Sequence, residues 1–284
     1  MDAFFNDKIS DTTKNLYRRN LMRLNGDKPF KNLNFLKKHK SVLEHIKDMP
    51  INTQKSYLIS IVSVIKHAKD EKLLAIYQPI MMKLNKTVSD NNGKSDKQEE
   101  NWLTHEEVLD VQKHLLKVLP KTFISPANYD RLLDLMVVSL YTLTPPRRSQ
   151  DYIKLLVSKP AENADKSNYI EDGKFVFNVY KTNATYGKQT EPIPDQLQKI
   201  IDIYMKEHNG QPEFLIKKNG VPMKNSSEIT HRLNRIFGRK ISTSMLRNIY
   251  LTSKYADVMN DMKNDATAMG TSTNVATHNY IKTE

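Results

Sequence analysis

The feature that most constrains this fold is the stretch 89–101, SDNNGKSDKQEEN, which contains no apolar residue. A segment without apolar side chains has nothing to bury in a core, so it predicts a linker. The chain has 284 residues, a length that fits one large domain or two. We therefore predict an N-terminal domain over 1–90, a linker over 91–101 and a C-terminal domain over 102–284.

The N-terminal domain is predicted to be a helical bundle, because its apolar residues recur at helical spacing. Either Ser10 or Asp11 is expected to cap the first helix. Either Asn52 or Thr53 is expected to cap the third, and Pro79 to kink or interrupt the fourth.

The charge of the chain favours a polyanionic partner. Lys and Arg number 44 against 32 Asp and Glu, a net charge of +12. Residues 1–90 carry 17 of the basic and 9 of the acidic residues, so the N-terminal domain holds +8 of that charge. Nucleic acid is the first partner this suggests and an acidic membrane surface the second; a solvated, lysine-rich surface is the plain alternative.

Composition also excludes several classes of protein. There is no cysteine, which rules out a disulfide framework and a thiolate metal site. The N-terminus lacks the pattern of a signal peptide, and no apolar run reaches the length of a membrane span. We expect an intracellular protein of the cytoplasm, a virion or a host nucleus, with no membrane partner.

The C-terminal domain is predicted to be mainly α with a small β-sheet or hairpin, an α+β fold. Thr104 and Glu107 form a capping-box pattern that predicts a helix start. The apolar run 131–143 predicts a buried helix. Residues 174–180 and 189–193 predict two strands of a hairpin, joined by a turn. A further short strand is expected over Phe214-Leu215-Ile216.

The end of the chain combines an arginine with a late tyrosine. Arg247 lies in a segment whose apolar residues have helical spacing. A break at Met269-Gly270 precedes a second, polar helix that carries Tyr280. The planar guanidinium of arginine binds phosphate oxygens in a bidentate manner, and a phenol can serve as a covalent nucleophile. This pairing indicates phosphoryl-transfer chemistry.

This tail resembles the end of a tyrosine recombinase (phage integrase family) catalytic domain. The family box His-x-Leu-Arg-His is similar to Ser244-Met245-Leu246-Arg247-Asn248. The family box Leu-Gly-His, followed nine residues later by the tyrosine, is similar to Met269-Gly270-Thr271 with Tyr280.

Two further motifs resemble the same family. The family box Gly-Leu-Arg-x-x-Glu-Leu is matched best from Arg148, because Asp151 then falls at the carboxylate position and Leu155 at an apolar position. The family's catalytic lysine often occurs in a Lys-Thr phrase on a hairpin, which selects Lys181, with Lys188 as second choice.

The resemblance implies a helical N-terminal core-binding domain and a catalytic domain that cuts and rejoins double-stranded DNA through a 3′-phosphotyrosyl intermediate. It implies a site-specific recombinase or integrase of a mobile element or virus, working on DNA as a dimer up to a tetramer. No metal, ATP or other cofactor is implied. The implied catalytic residues are Arg148, Lys181, Arg247 and Tyr280.

Ser244 and Thr271 depart from the family, which usually has proton-handling residues there; a hydroxyl cannot act as a base near pH 7. A type IB topoisomerase-like enzyme and a DNA-binding protein that lost catalysis are therefore alternatives. Arg147 is expected either to touch the DNA backbone or to pair with a local carboxylate. The complete set of expected DNA-binding residues is Arg147, Lys188, Arg235, Arg239 and Lys240.

Overall fold

The computed structural model describes residues 4–90, 93–123 and 125–282 and divides the chain into two compact units, Met1–Lys94 and Ser95–Glu284. The boundary falls inside the segment predicted as a linker, of which Asn91 and Asn92 lie outside the described residues. The chain is mainly helical with one four-stranded sheet, as the sequence predicts.

The first unit is a helical bundle. Its helices are α1 (Asp11–Leu24), α2 (His39–Ile46), α3 (Ile51–Ala68) and α4 (Glu71–Asp90). The hydroxyl of Ser10 caps α1 as predicted. The predicted cap of α3 is wrong: the helix begins at Ile51, after Pro50, before either Asn52 or Thr53. Pro79 does not interrupt α4, because it lies on the exposed side of that helix, where water can reach the carbonyl it leaves free.

The second unit begins with helix α5 (Asp96–Asn101), although this segment was expected to be unstructured linker. A capping box explains the difference, since Ser95 and Gln98 satisfy each other's backbone N–H groups at the helix start. Helix α6 (His105–Lys117) follows, with the predicted capping box of Thr104 and Glu107.

The core of the second unit is built on helix α7 (Pro126–Thr142). Every residue from Leu132 to Thr142 is buried, which confirms the predicted core helix. The helices that pack against α7 are α6, α10 (Asp195–Glu207), α11 (Ser226–Phe237) and α12 (Thr243–Ala268). Helix α8 (Ser149–Ile153) follows α7 after a two-proline turn. Among the described residues, no helix combines the length and apolar character needed to cross a membrane.

The sheet has the order β1 (Leu155–Leu156), β2 (Asn168–Glu171), β3 (Lys174–Phe177) and β4 (Gln189–Pro192). Strands β1 and β2 are parallel, and the other pairs are antiparallel. The predicted strand over 174–180 therefore ends early, at Phe177. The predicted turn between the strands is a short helix, α9 (Asn183–Tyr186). The strand predicted over 214–216 is wrong: within that segment only Ile216 forms an isolated bridge, to Pro222.

The tail folds into a helical hairpin. Helix α12 ends at Ala268, and Gly270, with a φ of +70°, lets the chain turn back at the predicted break. A short helix α13 (Thr273–Val275) and a π-helical turn (Ala276–Tyr280) complete the described tail.

Candidate functional site: a cleft lined by two arginines of the sequence boxes

A cleft of about 530 Å³ in the second unit brings together residues that are far apart in the sequence. Arg148 and Arg247 both line it. The other walls come from the turn 143–146 after α7, the segment 175–186 and strand β4. The structure therefore unites two of the four residues that the sequence selected as catalytic. We call this site the arginine cleft.

Local structure holds each arginine at the cleft. Arg148 is the N-terminal cap residue of α8, and the next residue, Ser149, hydrogen bonds through its hydroxyl to that of Ser226 on α11 (2.8 Å). Arg247 follows the buried Leu246 on α12, so it emerges at the edge of the packed face. The packing of α8 and α12 thus fixes the backbone positions of Arg148 and Arg247.

The charges of the arginine cleft favour an anion. Three arginines and two carboxylates, Asp151 and Glu191, line it. Arg147 forms an ion pair with Asp151. In the part of the chain that the structure describes, no carboxylate forms an ion pair with Arg148 or Arg247. Two guanidinium groups that form no ion pair among the described residues suit a phosphate group.

Arg147 has a structural role. Its Nε donates to the carboxylate of Asp151 (3.2 Å) and its Nη1 donates to the side-chain oxygen of Gln189 (2.8 Å). Its guanidinium carbon lies 3.9 Å from the ring centroid of Phe177 and 5.0 Å from that of Tyr180. Of the two interpretations left open by the sequence, pairing with a local carboxylate is the one observed.

Asp151 is buried beneath the arginine cleft. Burial raises the pKa of its carboxyl above the ordinary value, and the charges of Arg147 and Arg148, with a side-chain hydrogen bond from Arg147 and a backbone hydrogen bond from Arg148, offset only part of that rise. Both arginines therefore favour the charged form of Asp151, but only Arg147 forms an ion pair with it among the described residues, and Arg148 lines the cleft.

Lys181 and Lys188 flank helix α9 at the rim of the cleft. Both are exposed. The neighbours of Lys181, Tyr180 and Thr182, line the cleft, whereas Lys181 itself is not among the lining residues. The structure thus places the predicted lysine beside the site, not within its walls.

Tyr280 is not brought to the arginine cleft. It is 60% exposed at the end of the π-helical turn and does not line the cleft. The hydroxyl of Thr277 lies 4.0 Å from the sulfur of Met262, so the end of the tail packs beside α12 at the level of Met262. Met262 follows Arg247 by 15 residues on one continuous helix, which corresponds to about 22 Å. In this arrangement the predicted nucleophile and the predicted phosphate site are apart.

The two atypical box residues also lie outside the cleft. Ser244 is exposed and lines a different cleft of about 480 Å³, together with Lys240 and Asn248. Thr271 donates its backbone N–H to the carbonyl of Ala266 (2.9 Å) in the turn around Gly270. That bond gives Thr271 a role in ending α12.

Other predicted DNA-binding residues have partners within the protein. Arg235 forms ion pairs with Asp130 (3.0 Å) and Asp134 (2.8 Å) on α7. Arg239 donates to the backbone carbonyl of Trp102 (3.2 Å). The backbone of Lys240 donates to the Asn101 side chain. Burial alone would raise the pKa of Asp130, but the hydrogen bonds and charges of Arg232 and Arg235 outweigh it and lower that pKa.

Sequence reasoning missed two residues of the site. Tyr186 on α9 lines the arginine cleft and is 66% exposed. Tyr186 lies in the segment predicted to be a turn, and a single exposed tyrosine does not contribute to a helical or strand periodicity. Asn168 is fully buried and hydrogen bonds to the backbone of Asp151. An asparagine at a strand start carries no sequence signal for such a role.

Residues 4–90, 93–123 and 125–282 contain no group of three or more His, Asp or Glu side chains placed to hold a metal ion. The chain matches no protein-family model, and a search among curated proteins found no match.

Proposed function

We propose that this protein is a DNA strand transferase of the tyrosine recombinase type, acting as a site-specific recombinase or integrase on double-stranded DNA. The observation that carries the proposal is the meeting of Arg148 and Arg247 in one cleft, without an ion pair to either within the described chain. The sequence boxes select the same two arginines without reference to the cleft. An ordinary surface cleft would not be expected to unite them.

The proposed chemistry uses four groups. Arg148 and Arg247 bind the non-bridging oxygens of one phosphodiester and stabilise the negative charge of the pentacoordinate transition state. Tyr280 loses its phenolic proton to water, and its oxygen attacks phosphorus, so a bond forms between that oxygen and phosphorus while the bond to the 5′-oxygen breaks. Lys181 gives its proton to the leaving 5′-oxygen. Rejoining is the reverse reaction with another 5′-hydroxyl, so no nucleotide is consumed.

The reaction requires the tail to change its path. Tyr280 must reach the arginine cleft, whereas residues 251–265 of α12 are exposed apart from the half-buried Ala256 and Met262. Few packing contacts oppose such a change, since burial in the core is what holds other helices in place. We propose that DNA binding selects an arrangement in which residues 251–282 bring Tyr280 to the bound phosphate.

One alternative has support from the structure. The positions of Tyr280 and Ser244 outside the cleft favour a protein that binds DNA through the arginine cleft without cutting it. A type IB topoisomerase-like enzyme would share the proposed chemistry. It would relax a plasmid that lacks target sites, whereas a site-specific recombinase would not.

Trapping of the covalent intermediate tests the proposal. Nicked duplexes from the termini of the element that encodes the protein would be incubated with wild type and with Tyr280→Phe, so that the short 5′ fragment diffuses away after cleavage. We expect a protein–DNA band on a denaturing gel with wild type and none with Tyr280→Phe, while both bind the duplex equally. Binding without a covalent band in wild type would support the binding-only alternative.

Salt dependence tests the DNA partner separately. Contacts to several phosphates release counter-ions, so affinity should fall steeply between low and physiological salt. An affinity that stays flat over this range would contradict DNA binding by the basic surface, whatever the chemistry of Tyr280.

A further inference from the structure

A buried asparagine connects the two sides of the arginine cleft. Asn168, at the start of β2, is fully buried. Its amide nitrogen donates to the backbone carbonyls of Asp151 (3.1 Å) and Val179 (3.0 Å). Its oxygen accepts the backbone N–H groups of Asn178 (3.0 Å) and Val179 (2.8 Å). A primary amide that makes all four of its hydrogen bonds in a buried site holds its partners in one arrangement.

Two more asparagines extend this connection around Lys181. The amide nitrogen of Asn178 donates to two backbone carbonyls in the segment before β2, each at 2.9 Å. The amide nitrogen of Asn183 donates back to the carbonyl of Asn178 (3.0 Å), and its backbone N–H donates to the carbonyl of Tyr180 (3.2 Å). The chain over 178–183 is therefore closed into a loop with Lys181 at its tip.

The C-terminal end of the segment that carries Lys181 and Lys188 is also connected to helix α8. Arg147 bonds to Gln189 at the start of β4 and to Asp151 on α8. The segment between Val179 and Gln189, which contains both candidate lysines, is thus attached at each end to the element that presents Arg148. The pairing of β1 with β2 and of β2 with β3 joins α8 to the start of the loop, and these side chains hold the loop beyond β3.

We infer that Asn168 is a positioning residue for Lys181: it fixes the loop that carries the proton donor relative to Arg148 and its phosphate. The inference rests on the proposed function. In that reaction the proton leaves the Lys181 amine for the departing 5′-oxygen as the bond from phosphorus to that oxygen breaks. A displacement of about 1 Å in a catalytic group can lower a rate by about 10²-fold.

The test compares two leaving groups. In one substrate the bridging 5′-oxygen at the cleavage position is kept, and in the other sulfur replaces it. A thiolate leaves without being protonated, because a thiol, with a pKa of about 8.5, is a far stronger acid than water or a simple alcohol. Loss of the proton donor should therefore slow cleavage of the oxygen substrate and spare the sulfur substrate.

The measurement is the single-turnover rate of covalent complex formation by the full chain. We expect Asn168→Ala to slow the oxygen substrate by about 10²-fold and to leave the sulfur substrate near the wild-type rate. Lys181→Ala should show the same pattern. Arg148→Ala should slow both substrates, since Arg148 acts on the phosphate and not on the leaving group.

A matched control separates positioning from general weakening of the fold. Asn20 is a buried asparagine of the first unit that donates to the hydroxyls of Ser56 (3.1 Å) and Ser60 (3.0 Å). Asn20→Ala should affect both substrates equally. If Asn168→Ala also slows both equally, or slows neither, the inference is overturned.

A second variant keeps the test decisive if Asn168→Ala does not fold, as judged by circular dichroism. Asn183→Ala removes one exposed tie of the loop and leaves the buried network intact. Selective loss on the oxygen substrate would support the inference, and equal loss on both or on neither would overturn it. If wild type forms no covalent complex with either substrate, the proposed function itself fails.

Discussion

The arginine cleft and the tail arm, residues 251–282, lie in the same unit but differ in how they are held. The cleft is lined by the turn after α7 and by residues of α8, β3, β4 and α12. The apolar residues of α7, α8, β3 and the first turns of α12 are buried in one core. The tail arm has only two buried residues in its described part, Ala266 and Ala276. One region is fixed by packing, and the other is held by a few local contacts.

The difference indicates that the phosphate site and the nucleophile are held by separate parts of the unit. A phosphate site needs fixed positive charge, and such a site is most effective when its donors need no rearrangement. A nucleophile that waits on an exposed helical arm is kept away from the phosphate site until the arm moves. Variants of the cleft should therefore change affinity or rate, and variants of the arm should change only the delivery of Tyr280.

The largest effect should come from the two arginines of the sequence boxes. Arg148→Ala or Arg247→Ala removes a group that stabilises the transition state, and we expect cleavage to slow by about 10²- to 10³-fold. Thermal stability should hardly change, because neither side chain has an ion pair in the described chain. Single-turnover trapping and thermal unfolding would be measured together. A large fall in stability would mean that these arginines hold the fold.

For Arg147→Ala we expect the main loss in stability and not in cleavage rate. The change leaves Asp151 buried without its partner, and breaking a buried ion pair in this way costs about 3 kcal/mol of unfolding free energy. Urea unfolding measures the loss. The double variant Arg147→Ala with Asp151→Asn should recover part of it, since an amide carries no charge to bury. A single variant as stable as wild type would contradict the assigned role.

The pH dependence of stability should distinguish two carboxyls near the core. The raised pKa of Asp151, caused by burial, means that the folded state binds its proton more tightly than the unfolded state. Its contribution to stability should fall as pH rises from about 4. The lowered pKa of Asp130 has the opposite consequence, because its ion pairs stabilise the fold above about pH 4 and are lost as pH falls.

Urea unfolding from pH 3 to 7 would check this contrast in Asp151→Asn and Asp130→Asn. The stability of Asp151→Asn relative to wild type should increase with pH. That of Asp130→Asn should decrease over the same range. Slopes of equal sign for the two variants would show that at least one assigned environment is wrong.

The smallest effect should be confined to the tail arm. Gly270 has a φ of +70°, and a β-carbon added there would meet no atom within 4 Å. Gly270→Ala should therefore cost only the backbone strain, about 1 kcal/mol, at the turn. Amide hydrogen exchange should speed up over residues 264–282 while global unfolding is unchanged. Gly210→Ala, at another open position of positive φ, is the matched control and should leave the tail unchanged.

Much of the fold followed from local signals. Capping residues marked the starts of α1 and α6, and apolar runs marked α7 and the strand β3. Helix α5 was not predicted, because a segment without apolar residues has no helical periodicity and only the Ser95–Gln98 capping box marks the helix start. The start of α3 was misplaced because Ile51 directly follows proline, a position where a helix can begin without a side-chain cap.

The candidate site was predictable only in part. Box spacing selected Arg148 and Arg247, which do share a cleft. The same spacing could not show that Asp151, four residues after Arg147, pairs with that arginine. Nor could a nine-residue step from Thr271 locate Tyr280 in space, because α12 continues past Arg247 to Ala268 and carries the tail away from the cleft. The spacing of residues in the sequence therefore gives their order along the chain, and only the path of α12 shows where Tyr280 lies.

The most direct test of the central claim is to identify the tyrosine that becomes attached to DNA. Tyr186 lines the arginine cleft, whereas Tyr280 lies on the tail arm, so the two candidates represent the two regions. Trypsin would release them in separate peptides, Tyr186 within 182–188 and Tyr280 within 264–282. We predict that the trapped complex yields the nucleotide on the peptide 264–282. A nucleotide on the peptide 182–188 would contradict delivery of the nucleophile by the tail arm.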